Sequence, residues 1–159
     1  MQIKKMEGIM AHSYISIYVH CVFSTKYRQK LITPELQTRL WQYIGALARE
    51  NKMKALAVGG VEDHVHLKLS LPPTLSISKA IQLIKGNSSR WVSKTFSEYR
   101  HFKWQEGYGA FSFSLSGIKR TIGFIRNQRQ HHSKSIFQTE YISFLQKHDI
   151  DYDERYLWG

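Results

Sequence analysis

Apolar and polar residues alternate over 64–70 and 109–116. Residues 14–24 are rich in β-branched and aromatic residues, and residues 53–60 form a short run closed by glycines. The longer stretches between these segments repeat apolar residues every three or four positions. A period of two is typical of strands, and a period of 3.6 is typical of helices. The pattern predicts strands over 14–24, 53–60, 64–70 and 109–116, and helices over 33–52, 76–96, 118–132 and 137–148. The order βαββαβ followed by two helices predicts an α+β protein with a ferredoxin-like split βαβ sheet.

The predicted helices have recognisable starts and apolar faces. Thr33 can cap the first helix and Pro34 suits its first position. Ser135 followed by Gln138 has the spacing of a capping box for the last helix. The residues expected to face the core are Leu36, Leu40, Ile44 and Leu47 in the first helix, Ile77, Ile81, Ile84 and Trp91 in the second, and Ile118, Ile122 and Ile125 in the third.

The third strand, "HVHLKLS", carries the clearest candidate chemistry. His64 and His66 project from one face, with Lys68 and Ser70, while Val65, Leu67 and Leu69 project from the other. Two imidazoles about 6.6 Å apart along a strand can converge on one ion. Alternatively, the two histidines are ordinary polar residues on the surface of the sheet and bind no ion. Asp63 is either an orienting partner for this pair or a turn residue, and His20 lies either at the site or in the core.

Composition narrows the class of protein. The chain has 159 residues and a formal net charge of +11, which suits a single domain with a polyanionic partner, either nucleic acid or an anionic membrane surface. It has no apolar run long enough to span a bilayer.

Cys21 is the only cysteine, which is typical of a reducing cytoplasm. The expected organisation is a flexible extension over 1–12, one domain over 13–150 and a tail over 151–159.

Three sequence blocks in a fixed order resemble one known family. "GVEDHVHLKLSLPPTLSISKAIQLIKGNSS", "WQEGYGAFSFS" and "FIRNQRQHH" are together similar to the single-tyrosine HUH transposases of the smallest bacterial insertion sequences, the IS200-like type, and to their domesticated relatives. The resemblance covers about residues 13 to 148. The HUH pattern alone is weakly specific, whereas the three blocks in this order are strongly specific.

The resemblance implies an activity and a set of roles. Members of this family cut and rejoin single-stranded DNA beside short hairpins at the element ends and act as dimers, often with the tyrosine helix serving the partner's active site. It implies that His64 and His66 bind a divalent metal that polarises the scissile phosphate, and that Gln128 completes this site. Mg²⁺ or Mn²⁺ is expected, because imidazole, amide and phosphate oxygen suit these ions. A tyrosine four residues before Gln128 would form the 5′-phosphotyrosine.

This sequence departs from the family pattern at the nucleophile. Phe124 occupies the position expected for the tyrosine, and it lacks the attacking hydroxyl. Three interpretations follow: an engineered tyrosine-to-phenylalanine variant, a natural relative that binds hairpin DNA without cutting it, or attack by another tyrosine, for which Tyr108 and Tyr141 are the candidates. The sequence therefore predicts either a transposase blocked at position 124 or a non-cleaving DNA-binding protein derived from one.

The basic excess suggests where DNA would bind. Single basic side chains are usually solvated charges, but several members of this set should contact phosphates of single-stranded DNA. The candidates are Lys26, Arg28, Lys85, Arg90, Arg120 and Arg126.

Overall fold

A computed structural model describes residues 14–114 and 137–153, together with Arg155 and Leu157. The strands are β1 (Tyr18–Ser24), β2 (Lys54–Val61), β3 (His64–Ser70) and β4 (Gly109–Ser112). The helices are α1 (Pro34–Glu50), α2 (Ile77–Thr95) and α3 (Phe137–Lys147), and single 3₁₀ turns occupy Lys26–Arg28 and Ser97–Tyr99. The helix predicted over 118–132 lies outside the described residues.

The four strands form one antiparallel sheet in the order β2-β3-β1-β4. This order is the ferredoxin-like arrangement, so the predicted fold class is confirmed. Two strands are shorter than predicted. Residues 14–17 are exposed and lie outside the ladder, and β4 ends at Ser112 because its pairing with β1 stops there.

One face of the sheet packs on α1 and α2 and forms the main core. Thr33 caps α1 by accepting a hydrogen bond from the Leu36 amide at 3.3 Å, and Ser76 caps α2 in the same way. The predicted apolar face of α1 is buried as expected. On α2 the expectation for Ile77 is wrong: its side chain is 38% exposed, and it is the first residue of the helix. The sheet residues on this face include Val65, Leu67 and Leu69, all buried.

The other face of the sheet is covered by α3. Tyr141 and Leu145 pack there against Val22 and Phe111 in a second, smaller core, with Phe144 at its margin. This layer buries His64 and His66, which the alternation had placed on the face opposite the main core. The histidines therefore lie between two layers rather than on an open sheet surface.

Glycine at position 60 lets the β2–β3 hairpin close tightly beside the histidines. A Cβ atom there would overlap the backbone carbonyl oxygen of His64 and would lie 2.9 Å from the Val65 Cα. No side chain larger than hydrogen fits at that close approach. Gly60 thus fixes the register that presents His64 and His66.

Candidate metal centre

Two strand histidines and one helix carboxylate meet between the sheet and α3. The ligand atoms of His64, His66 and Glu140 all lie within 4.8 Å of one another. Both histidines are fully buried, and Glu140 is 8% exposed. The two histidines come together because residues i and i+2 of a strand share a face, while Glu140 reaches them because α3 crosses that face.

A carboxylate next to His64 orients its ring. The His64 Nδ1 lies 2.7 Å from Asp63 Oδ1, so a protonated Nδ1 donates to the carboxylate and leaves Nε2 as the ligand atom. Asp63 is itself anchored, since its carbonyl accepts from the Thr25 amide at 2.9 Å. Of the two roles considered for Asp63, the geometry supports the orienting one.

His66 contacts a different group through each ring nitrogen. Its Nε2 lies 2.9 Å from Glu140 Oε1, and its Nδ1 lies 2.8 Å from His20 Nε2. Burial is the largest cause that lowers the pKa of His20, and electrostatic interactions with His66, Lys68 and His148 lower it further, which favours the neutral imidazole. His20 therefore lies at the site.

The donor set fits a divalent cation. Imidazole suits Mn²⁺ and later first-row metals, and a carboxylate suits Mg²⁺ and Mn²⁺. The Glu140 carboxylate also supplies a negative charge beside the two histidines. The expected ligand Gln128 and the nucleophile position Phe124 lie outside the described residues.

Glu140 was not identified from the sequence. The positions of the apolar residues in α3 do, however, indicate that Glu140 faces the sheet. Tyr141, Phe144 and Leu145 define the face of α3 that contacts the sheet, and Glu140 lies on it, four residues before Phe144. An acidic residue on an apolar helix face is rarely buried without a partner.

A buried lysine shares the histidine face. Lys68 is 1% exposed, and its Nζ lies 3.6 Å from the centroid of the Phe113 ring. Burial lowers the pKa of Lys68 from 10.5 to about 8, with a further lowering by Lys147 and a partial offset by Cys21. The site thus holds a cation that is partly destabilised by its surroundings.

The predicted DNA contacts are found in different environments. Lys26 is partly exposed and lies 3.9 Å from a Glu106 oxygen, Arg28 is half-buried and Arg90 is exposed. Lys85 is engaged with the backbone, since its ammonium donates to the carbonyls of Gln105, Glu106 and Gly107 at 2.5, 3.0 and 2.9 Å. Arg120 and Arg126 lie outside the described residues.

The two alternative tyrosines differ in access. Tyr108 is half-buried against the main core. Tyr141 is 5% exposed and adjoins Glu140, and burial raises the pKa of its phenol. A raised pKa disfavours the phenolate that would attack phosphorus.

The fold and the histidine–carboxylate cluster define a ferredoxin-like α+β protein with a candidate metal centre on its sheet. The family model described as "Transposase IS200 like" matches residues 13–128. The chain belongs to the IS200-like transposase family.

Relatives and solved structures agree with this assignment. The transposase for insertion sequence element IS200 of Salmonella typhimurium is 28% identical over 107 residues, which cover 64% of this chain and 70% of the relative. The ISDra2 transposase TnpA of Deinococcus radiodurans is 26% identical over 85 residues, covering 54% and 61% of the two chains.

Two solved structures share the fold. A candidate transposase from Deinococcus radiodurans superposes with a TM-score of 0.61 at 23% identity, covering 74% of this chain and 95% of the other. A REP-associated tyrosine transposase bound to a REP hairpin superposes with a TM-score of 0.56 at 16% identity, covering 78% and 73%. Within the residues that the structure describes, no helix is long and apolar enough to cross a membrane.

Proposed function

We propose that this chain is the domain of a metal-dependent transposase that acts on single-stranded DNA at hairpin-bearing ends, and that it is blocked at its nucleophile position. In the unblocked reaction a tyrosine would cut the strand through a 5′-phosphotyrosine and the strand would later be rejoined. The observation that carries this proposal is the meeting of His64, His66 and Glu140 on one sheet face in an IS200-like chain.

The residues of the chain have distinct tasks in this proposal. His64 and His66 would hold Mg²⁺ or Mn²⁺, with Glu140, Gln128 or both completing the set. A divalent ion bound there would supply Lewis-acid polarisation of a phosphoryl oxygen. Asp63 keeps the His64 Nε2 available, and the basic surface attracts the DNA backbone. A covalent protein–DNA link would conserve the phosphodiester energy, so rejoining needs no separate energy source.

Phe124 favours a second candidate function, a hairpin-DNA binding protein that does not cleave. Phenylalanine fills the volume of a tyrosine ring but has no oxygen to attack phosphorus. Tighter binding cannot replace that step, because equal binding of substrate and transition state leaves the chemical barrier unchanged. The two candidates share the DNA and metal sites and differ only in the chemistry at position 124.

The substitution Phe124→Tyr tests the catalytic proposal directly. With Mn²⁺ and a hairpin-bearing strand labelled at its 3′ end, the variant should form a covalent adduct that migrates slowly on a denaturing gel. The matched control is Phe124→Tyr combined with His64→Ala, which should form none. An adduct with the unchanged protein would assign the nucleophile to another residue, with Tyr108 and Tyr141 tested first.

DNA binding is tested separately from cleavage. The unchanged chain should bind a hairpin-bearing single strand more tightly than a linear strand or a duplex in gel-shift assays. Its affinity should fall by about 10³ or more between 50 and 200 mM salt if six or more phosphates are neutralised. The REP-associated structural relative was solved with a REP hairpin, which supports the choice of probe. Equal binding to all three forms would contradict the proposal.

We also propose that the protein acts as a homodimer in the cytoplasm, with Gln128 serving its own or the partner's site. Sedimentation analysis of the DNA-bound protein tests the dimer. Mixing two variants tests whether two subunits share one active site. The first variant carries Gln128→Ala, and the second carries both Phe124→Tyr and His64→Ala. Activity restored in the mixture would show that one subunit completes the other's site, and no restoration would assign each site to a single chain.

A further inference from the structure

The two candidate metal ligands of β3 are oriented by chemically different partners. His64 contacts the Asp63 carboxylate, which can only accept a hydrogen bond when ionised. His66 contacts His20, whose Nε2 lies 2.8 Å from the His66 Nδ1. A neutral imidazole nitrogen can either donate or accept, depending on the tautomer.

His20 is held firmly in this position. It is 3% exposed and lies on β1, directly across the ladder from Lys68 on β3 and from Phe111 on β4. The ring of Phe144 on α3 meets it edge-on, with centroids 5.0 Å apart. The contact between His20 and His66 thus joins the two central strands within the site.

We propose that His20 is a positioning residue that sets which nitrogen of His66 carries the proton, and so makes the His66 Nε2 available to a divalent cation. The inference rests on the proposed metal site and adds a residue to it. A ligating Nε2 must be unprotonated, so the neutral His66 then carries its proton on Nδ1. That N–H donates to the His20 Nε2, and His20 carries its own proton on Nδ1.

The opposite tautomer of the pair would leave His66 unable to bind a cation through Nε2. If the His20 Nε2 carried the proton and donated to the His66 Nδ1, a neutral His66 would carry its own proton on Nε2. The His66 Nε2 lies 2.9 Å from Glu140 Oε1, but these two atoms do not have the alignment of a hydrogen bond, so that tautomer would gain no hydrogen bond between them.

Three variants of the full chain test the assignment by Mn²⁺ titration calorimetry. His20→Phe keeps the ring volume and removes both ring nitrogens, and it should weaken Mn²⁺ binding by about 10- to 100-fold, the usual effect of losing a ligand's hydrogen-bond partner. His20→Gln places an amide near the same point, which can also donate or accept, and it should recover most of the affinity. His101→Phe is the matched control, since His101 is exposed, and it should bind as the unchanged protein does.

The outcomes separate this inference from the proposed function. If the unchanged protein and His64→Ala bind Mn²⁺ equally, the metal site itself is refuted. If the site is real but a folded His20→Phe binds with unchanged affinity, the role of His20 is refuted.

A measurement without any substitution keeps the test decisive if His20→Phe does not fold. Imidazole ¹⁵N shifts of the unchanged protein should show the His66 proton on Nδ1 before any divalent cation is added. A neutral His66 that carries its proton on Nε2 in the metal-free protein would overturn the inference.

Discussion

Lys68 should lower the stability of the fold, and its removal should raise it. The side chain is 1% exposed, and burial lowers its pKa from 10.5 to about 8. At 1.36 kcal/mol per pKa unit, that difference corresponds to about 3 kcal/mol against the charged form. The contact of Nζ with the Phe113 ring, at 3.6 Å, offsets about 1–2 kcal/mol. Lys68→Met keeps most of the stem and removes the charge, so it should stabilise the protein by about 1–2 kcal/mol at pH 7.

The effect has a defined dependence on pH. Because the folded protein has the lower pKa, the unfolded chain binds more protons between pH 8 and 10.5. The contribution of Lys68 to the free energy of unfolding is therefore lowest below about pH 8, and it rises as the pH rises toward 10.5. Urea unfolding at pH 7 and pH 10 should show the advantage of Lys68→Met shrinking at the higher pH.

Lys85 provides the matched control. Burial lowers its pKa to about 8 as well, with a partial offset by Glu106, but its ammonium donates to three backbone carbonyls. Lys85→Met should therefore destabilise the protein by about 1–3 kcal/mol, since the carbonyl of the buried Gln105 loses its donor, together with the exposed carbonyls of Glu106 and Gly107. A Lys68→Met variant that is less stable than the unchanged protein, or one whose advantage does not change with pH, would refute the reasoning.

Three further predictions concern the hairpin, the strained turn and the carboxylate. Gly60→Ala should lower the thermal midpoint markedly, because the added Cβ would overlap the His64 carbonyl oxygen. Gly45→Ala is the control: Gly45 lies inside α1 and a Cβ there would have nothing within 4 Å, so this variant should raise stability by about 0.5–1 kcal/mol. Equal melting curves for the two variants would contradict this reasoning. Tyr27 is 68% exposed with φ 55, so Tyr27→Asn should increase the free energy of unfolding by relieving a left-handed conformation, and a decrease would show that its ring stabilises the turn. Glu140→Gln should weaken Mn²⁺ binding in calorimetry by removing the carboxylate charge, and an unchanged affinity would exclude Glu140 as a ligand.

Local periodicity was sufficient for most of the fold. Alternation identified β3, including its bounds, and β4, because inward and outward residues of a strand differ in polarity. The β-branched and aromatic residues of β1 and the glycines that close β2 identified the other two strands. Thr33 and Pro34 marked the start of α1 for reasons that are local to the chain. The ends of β1 and β4 were less well predicted, because a strand ends where its neighbour stops pairing, and the alternation continues past that point.

The candidate site was only partly accessible to sequence reasoning. His64 and His66 share a face through strand geometry alone, so their convergence followed from their spacing. Their partners did not follow in the same way, since His20 and Glu140 lie 46 and 74 residues from His66. The spacing of α3 indicates that Glu140 lies on a buried helix face, but residues near His20 or Glu140 do not indicate which face of another element either one will meet.

The sequence by itself determined the sheet, the histidine pair, the basic charge and the family pattern, because each depends on short-range spacing or on composition. Tertiary structure decided that α3 covers the histidine face, that Glu140 joins the pair, and that His20 contacts the Nδ1 of His66. It also decided that Lys85 binds backbone carbonyls and that Lys68 is buried. The physical reason is that burial and hydrogen bonding depend on which distant surfaces meet, and a periodic pattern specifies only that a surface must be covered, not what covers it.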